Sequence, residues 1–119
     1  MALSLIAIVH FVLDEDDPQG IVRRFMDALA PGSFLALTVF TADTDPVGVG
    51  GVGVGVGREY NARGIPLQIR DKAETEAFFD GYELLDPGVT LVHHWRPVAD
   101  AAPVRDQDIA MYAGVAVKR

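Results

Sequence analysis

The sequence predicts an α/β fold built around a parallel sheet, and three observations carry that prediction. Two runs, residues 3–12 and 33–40, are apolar almost throughout and do not alternate, as strands covered on both faces do. Between them lies a segment with the period of an amphipathic helix. The final run, residues 109–117, alternates and reads as a closing strand.

Each element follows from its residues. The first run is short and has Ile6, Ile8 and Val9 at its centre, which favours a strand over a buried helix. Asp17 then stands at a helix N-cap and Pro18 at the first helical position, where a missing N–H costs nothing. Ile21, Val22, Phe25, Met26 and Leu29 form one stripe, with Arg23, Arg24 and Asp27 facing away. Ala30-Pro31-Gly32 ends the helix before the second run. Strand, helix, strand with so short a link requires parallel strands and a right-handed crossover.

Residues 41–46 are polar and turn-rich, and the valine-glycine repeat over 47–57 reads as a low-complexity loop. Residues 58–64 have the look of a helix tail ending at Gly64. Asp71 and Glu74 have capping-box spacing, Ala73, Ala77 and Phe78 give that helix its buried side, and Gly81 stops it. Residues 82–85 form a short strand, Asp86-Pro87-Gly88 turns, and residues 89–95 extend again. Residues 96–108 form a loop holding two prolines. On the last strand Met111, Ala113, Val115 and Val117 share one face, and Ala110, Tyr112 and Ala116 the other.

Composition narrows the function classes. The 119 residues carry 17 acidic and 10 basic side chains, for a net charge of −7. No basic cluster is present to meet phosphate or anionic lipid, so neither nucleic acid nor membrane is an expected partner. There is no cysteine, which removes thiolate metal sites and thiol nucleophiles. The apolar N-terminus lacks the basic region and cleavage site of a signal peptide, and no apolar run reaches membrane-spanning length, so a cytoplasmic location is expected. A compact fold of this mass would expose roughly 6,300 Å².

Several segments together resemble a known family. Residues 8–18 (IVHFVLDEDDP), Ile21-Val22-Arg23-Arg24 and Asp27–Ser33 look like the fourth strand, following helix and fifth strand of class I S-adenosylmethionine-dependent methyltransferases. More narrowly, they resemble an actinobacterial methyltransferase family. The same family is matched at Arg63-Gly64, Pro66-Leu67, Phe78–Gly81, Glu83–Gly88, His94–Pro97 and Met111–Val115. The resemblance lapses at 47–57, where such proteins are expected to have a helix. It implies a Rossmann-like methyltransferase fold represented by its C-terminal half only, with strands ordered 4-5-7-6 and the last strand antiparallel. Members are roughly twice this long, and their glycine-rich cofactor turn and ribose-binding acid have no counterpart here. Residues 1–119 are thus expected to form a partial methyltransferase domain.

The candidate site residues follow. In open parallel sheets, ligands sit at the carboxyl ends of strands, where His10 is expected. Its imidazole would orient a substrate or take a proton from the methyl acceptor, or else bond a neighbouring loop. By resemblance, the backbone at Ala7 approaches the methionine part of S-adenosylmethionine, and Phe11 walls the pocket unless it is core. Trp95 and Arg96 fall on the substrate side by topology. Four consecutive acids, residues 14–17, cannot converge on one ion and read as a solvated helix start. The formal G-x-G-x-x-G of residues 48–53 is a chance match within a repeat. His93 and His94, if in a strand, point to opposite faces, so no metal site is expected.

The expected function is methyl transfer to an unknown small-molecule acceptor by the complete fold, with this chain alone inactive or weakly cofactor-binding. The alternatives are a non-catalytic interaction module, half of a split enzyme, or a degenerate product. The first strand, built for two neighbours and supplied with one, is where a second copy or an N-terminal half would pair.

Overall fold

The structure is a computed structural model that describes residues 1–46 and 50–119. Its strands are β1 (Ala2–Leu5), β2 (Phe34–Phe40), β3 (Glu83–Leu84), β4 (Thr90–Leu91) and β5 (Met111–Val117). Its helices are α1 (Pro18–Asp27), α2 (Val52–Ala62) and α3 (Lys72–Glu76), the last continued by a 3₁₀ turn over Ala77–Phe79. They form a mixed α/β sheet in the order β1-β2-β5-β3, with β4 also paired to β5.

β1 runs parallel to β2, with Leu3 opposite Leu35. β5 runs antiparallel to β2 along its whole length, from Phe34 opposite Val117 to Phe40 opposite Met111. β3 and β4 pair with opposite ends of β5 on its other side.

The core lies on one face of this sheet. Leu35, Leu37 and Val39 of β2 pack with Tyr112 and Ala116 of β5, and Val22 and Met26 of α1 and Phe78 and Phe79 cover them. Asp17 caps α1 by accepting from Gly20 N–H, and Asp71 and Glu74 form the expected capping box on α3. On the opposite face Phe34 is 42% exposed, and Ala36, Ala113 and Val115 are only half-buried. The molecule is accordingly flat, 44 × 40 × 20 Å. Its surface of 6910 Å² exceeds the value expected for a compact chain of this mass. Among the described residues, no helix is long and apolar enough to cross a membrane.

Three expectations need correction. The apolar run over 3–12 is not one strand. β1 stops at Leu5, the backbone turns at Ala7 (φ 59°), and residues Val9–Phe11 form a 3₁₀ turn. β1 is also half-buried rather than covered on both faces. Tertiary partners end the ladder. Ala7 N–H donates to Thr38 Oγ1 (2.8 Å), and the Arg70 guanidinium collects the carbonyls of Val9 and Val12 (3.2 and 2.7 Å). With their polar groups satisfied there, these residues need no strand neighbour.

The glycine-valine segment expected as a loop over 47–57 opens a helix. Residues 47–49 lie outside the described residues, but Val52–Gly57 form the first half of α2. Asp45 supplies the missing cap, its two carboxylate oxygens accepting from Gly53 and Val54 N–H (both 2.9 Å). Gly53 lies so close to Thr41 that a Cβ would stand 2.2 Å from the Thr41 carbonyl oxygen, whereas a Cβ on Gly55 would meet nothing. Two glycines in one repeat therefore have opposite roles. Gly53→Ala should push α2 off the end of β2 and lower stability by about 2 kcal/mol or more. Gly55→Ala should raise it by about 0.5–1 kcal/mol through helix propensity. Urea midpoints of the two variants measure both signs.

Residues 89–95 do not extend throughout either. β4 is only Thr90–Leu91, and Val92–His94 curl into a 3₁₀ turn. A smaller departure is Ala73, expected on the buried side of its helix but exposed, while Thr75 takes the buried position.

Candidate functional site

β1, β2 and β4 point their carboxyl ends the same way, because β1 is parallel to β2 and both β2 and β4 are antiparallel to β5. The segments leaving those ends meet on one side of the molecule. Ile6 and Thr38 line a groove of about 340 Å³ together with Trp95, and Ala113 and Val115 form its floor. The hydrogen bond from Ala7 N–H to Thr38 Oγ1 fixes the β1 exit against this groove. The structure therefore brings Ile6, next to Ala7, and Trp95, far apart in sequence, to one apolar surface. Trp95 Nε1 is buried with no hydrogen-bond partner among the described residues. Arg96 lies over the Trp95 ring (4.7 Å to its centroid) and donates to the Asp86 carbonyl (2.7 Å), so its charge is held at the rim.

His10 and Phe11 sit apart from that groove's lining. His10 is 1% exposed, stacked on Phe40 with ring centroids 4.0 Å apart and edge-on to Phe11 at 4.5 Å. Phe11 in turn meets Tyr60 of α2, and it stays 38% exposed. Neither ring nitrogen of His10 has a hydrogen-bond partner among the described residues. Burial in this aromatic cage, helped by the charge of Arg70, pushes its pKa down from near 6.5 to about 4. The imidazole is thus neutral at pH 7, with a lone pair free to accept a proton. It does not bond a neighbouring loop through its ring; its backbone carbonyl does, accepting from Gln68 N–H (2.9 Å).

Arg70 organises this segment, and nothing in the sequence singled it out. Its side chain is 1% exposed, and it donates to Asp14 Oδ1 (3.0 Å) as well as to the Val9 and Val12 carbonyls. Gln68 completes the arrangement by donating to Asp14 Oδ2 (2.7 Å) and accepting from Asp14 N–H (2.9 Å). Hydrogen bonds from Gln68 and then Arg70 hold the Asp14 carboxyl below its ordinary range. One of the four consecutive acids is therefore a structural anchor as well as part of a solvated face. Nearby, Tyr112 Oη donates to Asp43 Oδ2 (2.8 Å), and burial together with that bond raises the tyrosine pKa.

The histidine pair differs from its expected arrangement. On the 3₁₀ turn His93 and His94 do not diverge; their rings lie 3.9 Å apart, and each Nε2 meets Asp106 Oδ1, at 2.8 and 2.7 Å. Alternation along a strand gave the opposite expectation because the turn, not a strand, carries them.

A sequence model described as S-adenosyl methyltransferase matches residues 1–119. A DUF574 family protein from Streptomyces avermitilis MA-4680, solved by crystallography, is 52% identical with a TM-score of 0.90 over 99% of this chain and 44% of its own. A crystal structure described as a putative methyltransferase from Thermobifida fusca YX is 25% identical, TM-score 0.81, over 99% of this chain and 43% of its own. TnmH shares the fold alone, at 16% identity and a TM-score of 0.60 over 99% of this chain and 30% of its own. No curated protein matches. This chain thus spans less than half the length of the solved structures it resembles. A match over every residue leads to one conclusion: the chain belongs to the S-adenosyl methyltransferase family, whose cofactor is S-adenosylmethionine.

Proposed function

We propose that this chain forms the C-terminal part of a methyltransferase fold, in which β1, β2, β5 and β3/β4 correspond to strands four, five, seven and six. The observation that carries the reading is the sheet itself. An antiparallel last strand lies inserted between a parallel pair and the short strands that precede it in sequence. A doubly wound sheet carries helices on both faces. Here the face bearing Phe34, Ala36 and Val115 is open, as is the free edge of β1 beside the exposed Ile6 and Ile8. An N-terminal half supplying strands and helices would cover both.

The residues present suit a minor part of the cofactor. Ala7 offers only a methyl group at an exposed backbone bend, and Phe11 offers a half-exposed ring as a pocket wall. When bound, S-adenosylmethionine supplies a sulfonium-activated methyl group, so the protein's task is alignment and exclusion of water. Trp95 and Arg96, at the margin of the covered face, border a small organic acceptor. His10, buried against Phe40 and outside the groove that holds Trp95, backs the segment from Ala7 to Phe11 and does not meet the acceptor.

The apolar β1 edge also favours a second reading, a non-catalytic module that pairs with another copy through that strand. Isothermal titration with S-adenosylmethionine, run alongside sizing chromatography, separates the two. The methyltransferase-part reading expects a monomer with affinity no better than about 1 mM. Micromolar binding by the 119-residue chain would overturn it. A stable dimer without cofactor affinity would favour the second reading.

A further inference from the structure

We propose that His93, His94 and Asp106 form a binding site for a divalent transition-metal ion of the zinc class. The inference rests on side-chain geometry alone and is independent of the methyl-transfer reading. Two imidazole nitrogens and one carboxylate oxygen come together within 4.8 Å, all three from side chains outside the groove that holds Trp95. Such a donor set suits Zn²⁺, Fe²⁺, Ni²⁺ or Cu²⁺ and not Mg²⁺ or Ca²⁺, which prefer all-oxygen ligands.

The geometry is close to what an ion requires. Both Nε2 atoms converge on the same Asp106 oxygen, at 2.8 and 2.7 Å. Ligand atoms about 2.0–2.1 Å from a shared tetrahedral ion stand about 3.3 Å from one another. Admitting the ion therefore needs each contact to open by about half an ångström. Two short 3₁₀ turns, Val92–His94 and Asp106–Asp108, carry the ligands and can adjust by that amount.

The local electrostatics favour a cation. The adjacent Arg105 is turned away into a two-bond contact with Asp108 (2.9 and 3.0 Å), and Arg96 is held at the Asp86 carbonyl. To bind metal, each ring must present its Nε2 lone pair and carry its proton on Nδ1. His94, half-exposed, does this at the surface. His93 Nδ1 is buried without a partner and lacks the outer acceptor that orients most metal-bound imidazoles, which sets micromolar rather than nanomolar affinity.

Occupation would fasten the two ends of the 95–105 loop together. That loop and both histidines enclose a surface groove of about 430 Å³, with Pro97, Val98, Pro103 and Val104 among its walls. Three protein ligands leave a fourth position for water or an oxygen-donor ligand.

Titration of the full chain with ZnCl₂ in chelator-free buffer tests the proposal. Saturable one-to-one binding at about 1–100 µM is expected, weakened at least about tenfold in His94→Ala and in Asp106→Asn. Both variants change exposed side chains, and far-UV circular dichroism checks that they fold. Asp100→Asn, an exposed acid on the same loop, should bind as the native chain does. The absence of saturation below about 1 mM zinc in the native chain would overturn the proposal, as would equal affinity in the native, His94→Ala and Asp106→Asn proteins.

Discussion

Arg70→Leu should destabilise the chain by about 2–3 kcal/mol, read as the shift in a urea unfolding transition. The ion pair with Asp14 is not the reason. The Asp14 side chain is 63% exposed, and such half-solvated pairs contribute at most about 1 kcal/mol. The loss comes from the Val12 carbonyl, which has the guanidinium as its donor, and from the second bond to the Val9 carbonyl, which keeps Val12 N–H at 3.0 Å. Each buried acceptor left without a donor costs about 1–3 kcal/mol. Asp14→Asn removes the charge and leaves those bonds, so it should cost less than about 1 kcal/mol. A loss below 1 kcal/mol for Arg70→Leu would show that the segment after β1 holds its turn without the arginine.

Stability should also fall steeply on acidification, and His10 is the largest single cause. Its pKa is about 4 in the folded protein and near 6.5 when unfolded, so between those values the unfolded chain binds more protons. Stability is therefore fully present above pH 6.5, declines as pH falls toward 4, and levels off for this group below that. The change amounts to about 3 kcal/mol for a ring that is 1% exposed. Asp14, whose pKa is depressed, adds a loss of the same sign at lower pH. His10→Phe keeps an aromatic ring against Phe40 and cannot titrate. Its unfolding free energy should vary less between pH 7 and pH 4 than the native protein's, by that same amount. Parallel slopes would mean that the imidazole is protonated as readily inside as outside.

What the sequence made legible is what local chemistry determines. Asp17-Pro18 and the stripe through Val22 and Met26 give α1, Asp71 and Glu74 give α3, and the alternation of residues 111–117 gives β5 with its two faces assigned correctly. The family was legible from the order of several short segments, none of them diagnostic alone. Of the candidate site residues, Trp95 lines a groove with Ile6, the neighbour of Ala7, whereas His10 and Phe11 lie outside it. The failures came where distant groups override local preference. An apolar run of ten residues could not reveal that Thr38 and Arg70 would take its hydrogen bonds. A repeat poor in helix formers could not reveal that Asp45 would cap it or that Gly53 was needed for contact. Nor could adjacent histidines reveal their meeting with Asp106, because that depends on a turn closing a loop.

The position of β5 has a consequence for synthesis. β2, β3 and β4 all find their ladder partner in residues 111–117, although they leave the ribosome well before them. While translation is under way, β3 and β4 have no strand to bond, and Leu35, Leu37 and Val39 lack half their cover. The nascent chain must therefore wait, with sticky strand borders in view, until residues 111–117 emerge and thread into the vacant middle lane. Assembly in that order leaves strand edges open to wrong partners for longer than pairing between sequence neighbours would.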